Sequence, residues 1–392
     1  MRSAVWQVMN AMAGGIAVLI TARSLGSEGN GKFSLLIALV SVSSILFNLS
    51  NTSIAHAIKC ESSPAGAVAF ASLLIGVFGF AFSYVFYCMV TGFFLSLKPT
   101  LFSYLFGLTA IPIILGDVYC NCLLATGRVG SFNVSNACRG ISWLAGTLPL
   151  AVMNSPRSED FLTAYAIAST VRCVAAARVF HRRTPFANAP ISLYRMIICN
   201  GLKLHCSTIM NFLNYRLDLF ILNSYGGLSQ TGVYAFAAAV TERCGLPSQA
   251  IATTLLGNTA YRSHDKRVRQ VLRGARYATA LTLVLGVVCV ILIHYSASMI
   301  LGPSYCQTSI VIAMLLPGVT SLAISRCIAV DHLAVGDFNV SARAAGIGLI
   351  TTIGADLLFI PKFGALGAAL ASSVAYAVAM MVHSIAFRRR YR

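Results

Sequence analysis

Apolar runs of about 20 residues, the length that crosses a bilayer, follow one another along almost the whole chain with short polar loops between them. Their approximate limits are 4–22, 33–58, 67–95, 101–125, 132–153, 161–180, 196–222, 232–260, 275–300, 307–332, 341–360 and 365–387. The runs are too many for a signal peptide ahead of a globular body. No hydrophilic stretch is long enough for a separate soluble domain. Charged residues make up only 10% of the sequence, against about 25% in soluble domains. The expectation is an all-α polytopic membrane protein of about twelve transmembrane helices.

The second constraint is a repeat. Phe132-Asn133-Val134-Ser135 with Gly140-Ile141 recurs as Phe338-Asn339-Val340-Ser341 with Gly346-Ile347, about 206 residues on. Gly31-Lys32-Phe33 answers to Gly232-Val233-Tyr234 at an offset of about 201 residues, and Pro112 to Pro317 at about 205. The reading is two pseudo-symmetric six-helix lobes, residues 1–180 and 196–392, joined by a linker at 181–195 that holds Arg182, Arg183, Pro185 and Pro190. Six spans return the chain to the side it started from, so the copies are parallel and related by an axis along the membrane normal. That arrangement suits a transporter with a central cavity between its lobes. The equivalent prolines kink both copies, as inherited shape or as part of a hinge.

The net charge of +18 invites a nucleic-acid reading, and the distribution rejects it. With the N-terminus in the cytoplasm, seventeen Lys and Arg from Arg2 to Arg392 fall inside. Five fall outside: Arg23, Lys32, Lys98, Arg157 and Lys362. This asymmetry places both termini in the cytoplasm, with the basic loops against anionic headgroups. The twelve cysteines show no ligand spacing and read as small apolar side chains, so neither metal nor cofactor is expected. The Asn-x-Ser/Thr matches at Asn48, Asn51, Asn133 and Asn339 lie in or at the ends of spans, out of reach of glycosylation.

Charges inside spans cost about 2.5–3.5 kcal/mol each on the mildest scale. Here they are Asp117, Arg139, Arg172, Lys203, Arg216, Asp218, Glu242, Arg243, Arg326, Asp331, Arg343 and Asp356. Arg343, Asp331 and Arg172 are expected near span ends, reaching for the interface. Lys203, Ser207, Asn211, Asn214 and Asp218 form one polar row on the seventh span. It is either a wet, substrate-facing surface or an internal salt-bridge and amide network. Glu242 and Arg243 are adjacent, so one can face a cavity while the other pairs elsewhere. Arg139 shares a face with Asn136 and Trp143, a setting that suits phosphate or sugar, or an Arg held by carbonyls between helices. The substrate-cavity candidates are thus Arg139, Lys203, Asn211, Asn214, Arg216, Asp218 and Arg243. Asp117, Asp218 and Glu242 are the candidates for coupling to a proton or sodium.

Three segments resemble a family. Arg23-Ser-Leu-Gly-Ser-Glu-Gly-Asn-Gly-Lys-Phe33 resembles the R-x-L-G-x-E-x-x-G-x-(F/Y) turn of polysaccharide flippases of the O-antigen (Wzx) type, within the multidrug/oligosaccharidyl-lipid/polysaccharide (MOP) exporter superfamily. Arg216-Leu-Asp218 followed by Gly232-Val-Tyr234 is similar to its R-x-D…G-x-Y segment. Ile360-Pro-Lys-Phe-Gly-Ala-Leu-Gly-Ala-Ala-Leu370 resembles its I-P-x-x-G-x-x-G-A-A signature. The matching positions are Arg23, Gly26, Glu28, Gly31, Arg216, Asp218 and Gly232, which adds Arg23 to the cavity candidates. The resemblance implies twelve to fourteen helices in two lobes, a bacterial inner-membrane location and translocation of undecaprenyl-pyrophosphate-linked oligosaccharide. Its implied partners are that lipid-linked substrate, membrane lipids, and the polysaccharide polymerase and chain-length machinery. With twelve spans, the extra pair that some relatives use as a lipid groove is not expected.

Lipid-linked oligosaccharide flipping is therefore the expected function, without catalysis. A multidrug cation exporter of the same superfamily is the alternative, although its acidic, apolar linings contrast with the basic interior here. A polysaccharide polymerase or ligase is disfavoured by the short external loops and the tandem duplication.

Overall fold

In hydrocarbon a backbone must satisfy its own hydrogen bonds, and the helix does so within one segment. The computed structural model, which describes residues 2–59, 61–90, 99–153, 155–259, 264–334 and 337–391, is helical accordingly, with no strand among the described residues. Its elements are α1 (Arg2–Phe47), α2 (Ser50–Lys59), α3 (Ala65–Val90), α4 (Pro99–Ala125), α5 (Val129–Leu150), α6 (Ser158–His181), α7 (Ile191–Cys244), α8 (Leu246–Thr259), α9 (His264–Ile300), α10 (Thr308–Ala334), α11 (Phe338–Phe363) and α12 (Ala365–Arg390). A 3-10 turn, Pro303–Tyr305, precedes α10.

Among the described residues, eight helices are long and apolar enough to cross a membrane: α1, α3, α4, α6, α9, α10, α11 and α12. The chain is a multi-pass membrane protein. The two long helices outside that set, α5 and α7, carry Arg139 and the polar row respectively. Composition takes them off the list because they hold the side chains that hydrocarbon would reject.

The expected spans map onto these helices with one regular difference. Spans one and two are both within α1 and α2, and spans seven and eight within α7 and α8. The breaks fall at Gly26 (φ 64°, ψ −175°) and Gly227 (φ 72°, ψ −180°), 201 residues apart in sequence. This combination of angles belongs almost exclusively to glycine. The chain reverses there without a loop.

The chain forms two compact units. Unit one comprises Met1–Ser24 and Phe33–Ile209, and unit two comprises Leu25–Lys32 and Met210–Arg392. Small residues let helices approach closely where no hydrophobic force drives them together. In unit one, Ala67, Ala69, Ala71, Cys120, Cys122, Ala125 and Ala176 pack around Ile54, Val118, Leu123 and Phe180. In unit two, Ala252, Ala275, Ala278, Ala323 and Cys327 pack with Leu255 and Val330. Among the described residues the cysteines are free thiols.

Unit two also contains the closest helix crossing. A Cβ on Gly31 would fall on the Leu228 carbonyl oxygen, and one on Gly232 would fall on the Ser27 carbonyl oxygen. These are reciprocal contacts between copies, since Ser27 and Leu228, like Gly31 and Gly232, are 201 residues apart. Asn30 Nδ2 donates to the Gly232 carbonyl at 2.9 Å, and the Ser27 and Ser229 hydroxyls share a hydrogen bond of 2.8 Å.

Candidate functional site

The α7 row opens the site. Asn214 and Asp218 are one turn apart and both buried. Asp218, 2% exposed, accepts through Oδ2 from the Tyr234 hydroxyl and from the Ser372 hydroxyl (3.1 Å), the two hydroxyl oxygens being 3.0 Å apart. Its Oδ1 accepts from the Leu219 backbone N–H at 2.8 Å. Asn214 Oδ1 accepts from the Thr352 hydroxyl on α11. One turn along α11 from Thr352 is Asp356, fully buried, whose two carboxylate oxygens have no hydrogen-bond donor. Asn214 and Asp218 on α7 thus stand against the α11 turn that carries Thr352 and Asp356. A buried carboxylate without a donor costs several kcal/mol unless a positive charge neutralises it. α7, α11 and α12 therefore converge on a place suited to one proton or one small cation.

Beside it, Arg216 grips Glu242 bidentately, at 2.9 and 3.2 Å. Asp218, Glu242, Tyr215, Tyr234 and Tyr376 line a cavity of about 30 Å³ together with Leu315, Val319, Leu322 and Arg326. That volume admits a water molecule or a bare ion. Arg326 donates to the Gly245 carbonyl (3.3 Å) and the Ser248 hydroxyl (3.1 Å).

The other candidates sit apart from this cluster. Arg243 turns onto its own helix, donating to the Ala239 carbonyl at 2.6 Å, and Asn211 is exposed on α7. Four candidates belong to unit one. Asp117 pairs with Arg172 at 2.6 Å, and Arg172 Nε donates to Asn136 at 2.9 Å. Arg139 is half-buried on the same helix face as Trp143, whose ring meets Tyr165 edge-on at 5.3 Å and whose Nε1 is buried without an acceptor. Arg23 is exposed just before the Gly26 break. Lys203 is also in this unit, and its side chain lies outside the described residues.

Two expectations are corrected. Arg172 does not reach for an interface; it is 6% exposed and locked to Asp117 and Asn136. Asp331 is likewise fully buried, held by Arg267 (3.1 Å), Arg390 (3.7 Å) and the Tyr391 hydroxyl (2.8 Å). A carboxylate flanked by two guanidinium groups and accepting from a hydroxyl is cheaper inside than a stretched side chain outside. Arg343, by contrast, is exposed as expected. Thr352, Ser372 and Tyr376 escaped sequence reasoning altogether. The Thr352/Asp356 spacing, identical to that of Asn214/Asp218, was the available signal.

No family model matches the chain. It is 22% identical over 206 residues to the capsular polysaccharide biosynthesis protein CapF of Staphylococcus aureus, covering 52% of each. The chain thus spans about half the length of the curated relative it matches. Among solved structures, it resembles an inward-facing multidrug resistance transporter of the MATE family in the MOP superfamily (TM-score 0.71, 15% identity, 100% of this chain and 98% of that one). It resembles the lipid II flippase MurJ in an inward closed conformation (TM-score 0.75, 14% identity, 98% and 87%). An outward-facing MATE transporter is similar at TM-score 0.65 and 15% identity, with 99% and 94% covered. The fold is that of these MOP-type transporters and flippases.

Proposed function

We propose that this protein flips lipid-linked, undecaprenyl-pyrophosphate-type oligosaccharide repeat units across the bacterial inner membrane, with both termini cytoplasmic. Residues 1–180 and 196–392 would act as lobes that rock about a central cavity, joined through 181–195. The observation that carries this reading is the imbalance among intramembrane charges. The carboxylates of Asp117 and Glu242 are each committed to an arginine. Arg139 and Arg326 have no carboxylate partner among the described residues. A cationic drug would find Asp117 and Glu242 already paired and only the buried Asp218 and Asp356 without a cation, whereas an anionic pyrophosphate or acidic sugar would find guanidinium groups without a carboxylate. The likenesses to a capsular polysaccharide protein and to a lipid II flippase suit the same class of cargo.

Coupling belongs with Asp218 and Asp356. Asp117 and Glu242, equally eligible from sequence, are held by arginines, while Asp356 has no donor at all. A proton or sodium bound there would change the charge of unit two without touching the cargo.

Deletion in the source organism should abolish surface polysaccharide and accumulate lipid-linked repeat units inside. Normal polysaccharide after a clean deletion would refute the proposal. A second reading, export of organic cations, draws on the tyrosine and carboxylate lining of the unit-two cavity. At about 30 Å³ that cavity fits the coupling ion rather than a drug. Resistance profiling of an overexpressing strain separates the two, since a cation exporter raises tolerance to cationic drugs.

A further inference from the structure

Helix α9 is longer than a membrane is thick. Its 37 residues rise about 55 Å at 1.5 Å each, against about 30 Å of hydrocarbon. Where the hydrocarbon lies is marked by two exposed tyrosines, Tyr277 (65%) and Tyr295 (78%). They are eighteen residues apart, or about 27 Å along the helix, which is the spacing of an aromatic belt at two interfaces. Between them, on the same side, run the exposed apolar side chains Leu281, Val284, Val288 and Leu292.

The part of α9 that precedes Tyr277 has two faces. Arg267, Val271, Ala275 and Ala278 turn inward: Arg267 pairs with Asp331, and Val271 packs on Ile328 of α10 and Phe387 of α12. Lys266, Arg269, Arg273 and Arg276, at spacings of three and four, form an exposed row on the opposite face. None of the four has an ion-pair partner among the described residues. Arg276 and Arg273 fall within about 6 Å of the Tyr277 level, and Arg269 and Lys266 within about 17 Å, which spans the headgroup layer and its outer edge. Arg388 and Arg389, exposed at the end of α12, extend the positive surface.

We propose that this juxtamembrane stretch of α9 is a docking surface for anionic phospholipid, the four cations engaging headgroup phosphates of the leaflet in which they lie. The buried Asp331 cluster fixes the inward face so that the outward row is presented as a rigid strip. The partner is bulk anionic lipid, because the row adjoins the lipid-facing apolar strip. A basic face continuous with a membrane-embedded one is the pattern of headgroup recognition. The inference is independent of the cargo proposed above.

The test uses the full-length protein in lipid nanodiscs of phosphatidylcholine, alone or mixed with phosphatidylglycerol. The bound lipid is counted by native mass spectrometry. The wild type should retain phosphatidylglycerol, and added salt should weaken that retention. Replacing Lys266, Arg269, Arg273 and Arg276 by Gln should lower the apparent affinity at least ~10-fold. Removing the same charge from unit one (Arg178→Gln, Arg182→Gln, Arg183→Gln, Arg195→Gln) should change it less than about twofold. If the quadruple variant fails to fold, Arg269→Gln with Arg273→Gln should still lower it about threefold or more. Equal losses from both sets of charges would overturn the proposal, as would salt-insensitive retention. Displacement of phosphatidylglycerol from the α9 row by undecaprenyl diphosphate at equal charge would also overturn it, assigning the row to cargo instead.

Discussion

Gly232→Ala tests the helix crossing most sharply. The added methyl falls on the Ser27 carbonyl oxygen, and is 2.8 Å from both the Ser27 carbonyl carbon and the Gly31 nitrogen. Relaxed contacts need about 3.5 Å or more, so the two backbones must part by roughly 2 Å. Overpacking of this kind costs about 1–3 kcal/mol. Parting the helices also weakens the Asn30–Gly232 and Ser27–Ser229 hydrogen bonds, each worth about 0.6 kcal/mol between membrane helices. The net loss is about 3 kcal/mol, set against a gain of up to about 1 kcal/mol from helix propensity. At about 2–4 °C per kcal/mol, the unfolding midpoint in detergent should fall by roughly 6 °C. The control is Gly354→Ala in α11, where a Cβ meets nothing within 4 Å; it should leave the midpoint unchanged or slightly raised. Gly31→Ala should behave like Gly232→Ala, and the double variant should lose less than the sum because one separation relieves both clashes. Matching midpoints for Gly232→Ala and Gly354→Ala would refute the reasoning.

Other outcomes follow from the same coordinates. Asp331→Asn, which leaves Arg267 and Arg390 facing a neutral amide, should cost about 3–5 kcal/mol, measured as a lower midpoint or lost expression. Asp218→Asn and Asp356→Asn should fold with a normal chromatographic profile, yet transport in proteoliposomes should lose its dependence on an imposed proton or sodium gradient. Unchanged gradient dependence in both would remove the coupling assignment.

How much of this was legible beforehand depended on the kind of signal. Span positions were, because a bilayer fixes helix length, and the Gly31/Gly232 correspondence was visible as text. The breaks at Gly26 and Gly227 were less so: the polar residues around them read as loops, whereas helix continues on both sides of a single glycine conformation. The Asn214–Asp218 row was legible from its spacing. Its partners on α11 and α12 were not, because Thr352 and Ser372 are ordinary small residues until two helices bring them to a carboxylate. Arg172 and Asp331 were misplaced for a related reason. Sequence shows where a charge sits along a helix, while the donors that make burial tolerable come from helices far away in the chain.

The Asp218 cluster has no copy in the first half. At the offset that relates Gly26 to Gly227, Asp218 answers to Ala17 and Tyr234 to Phe33, a methyl and a ring without a hydroxyl. In the proposed coupling, the charged centre at Asp218 is therefore not duplicated at the corresponding positions of the first half. The transport cycle should accordingly be non-cooperative in its coupling ion, with a Hill coefficient of about one, and each turnover should be charged from unit two alone.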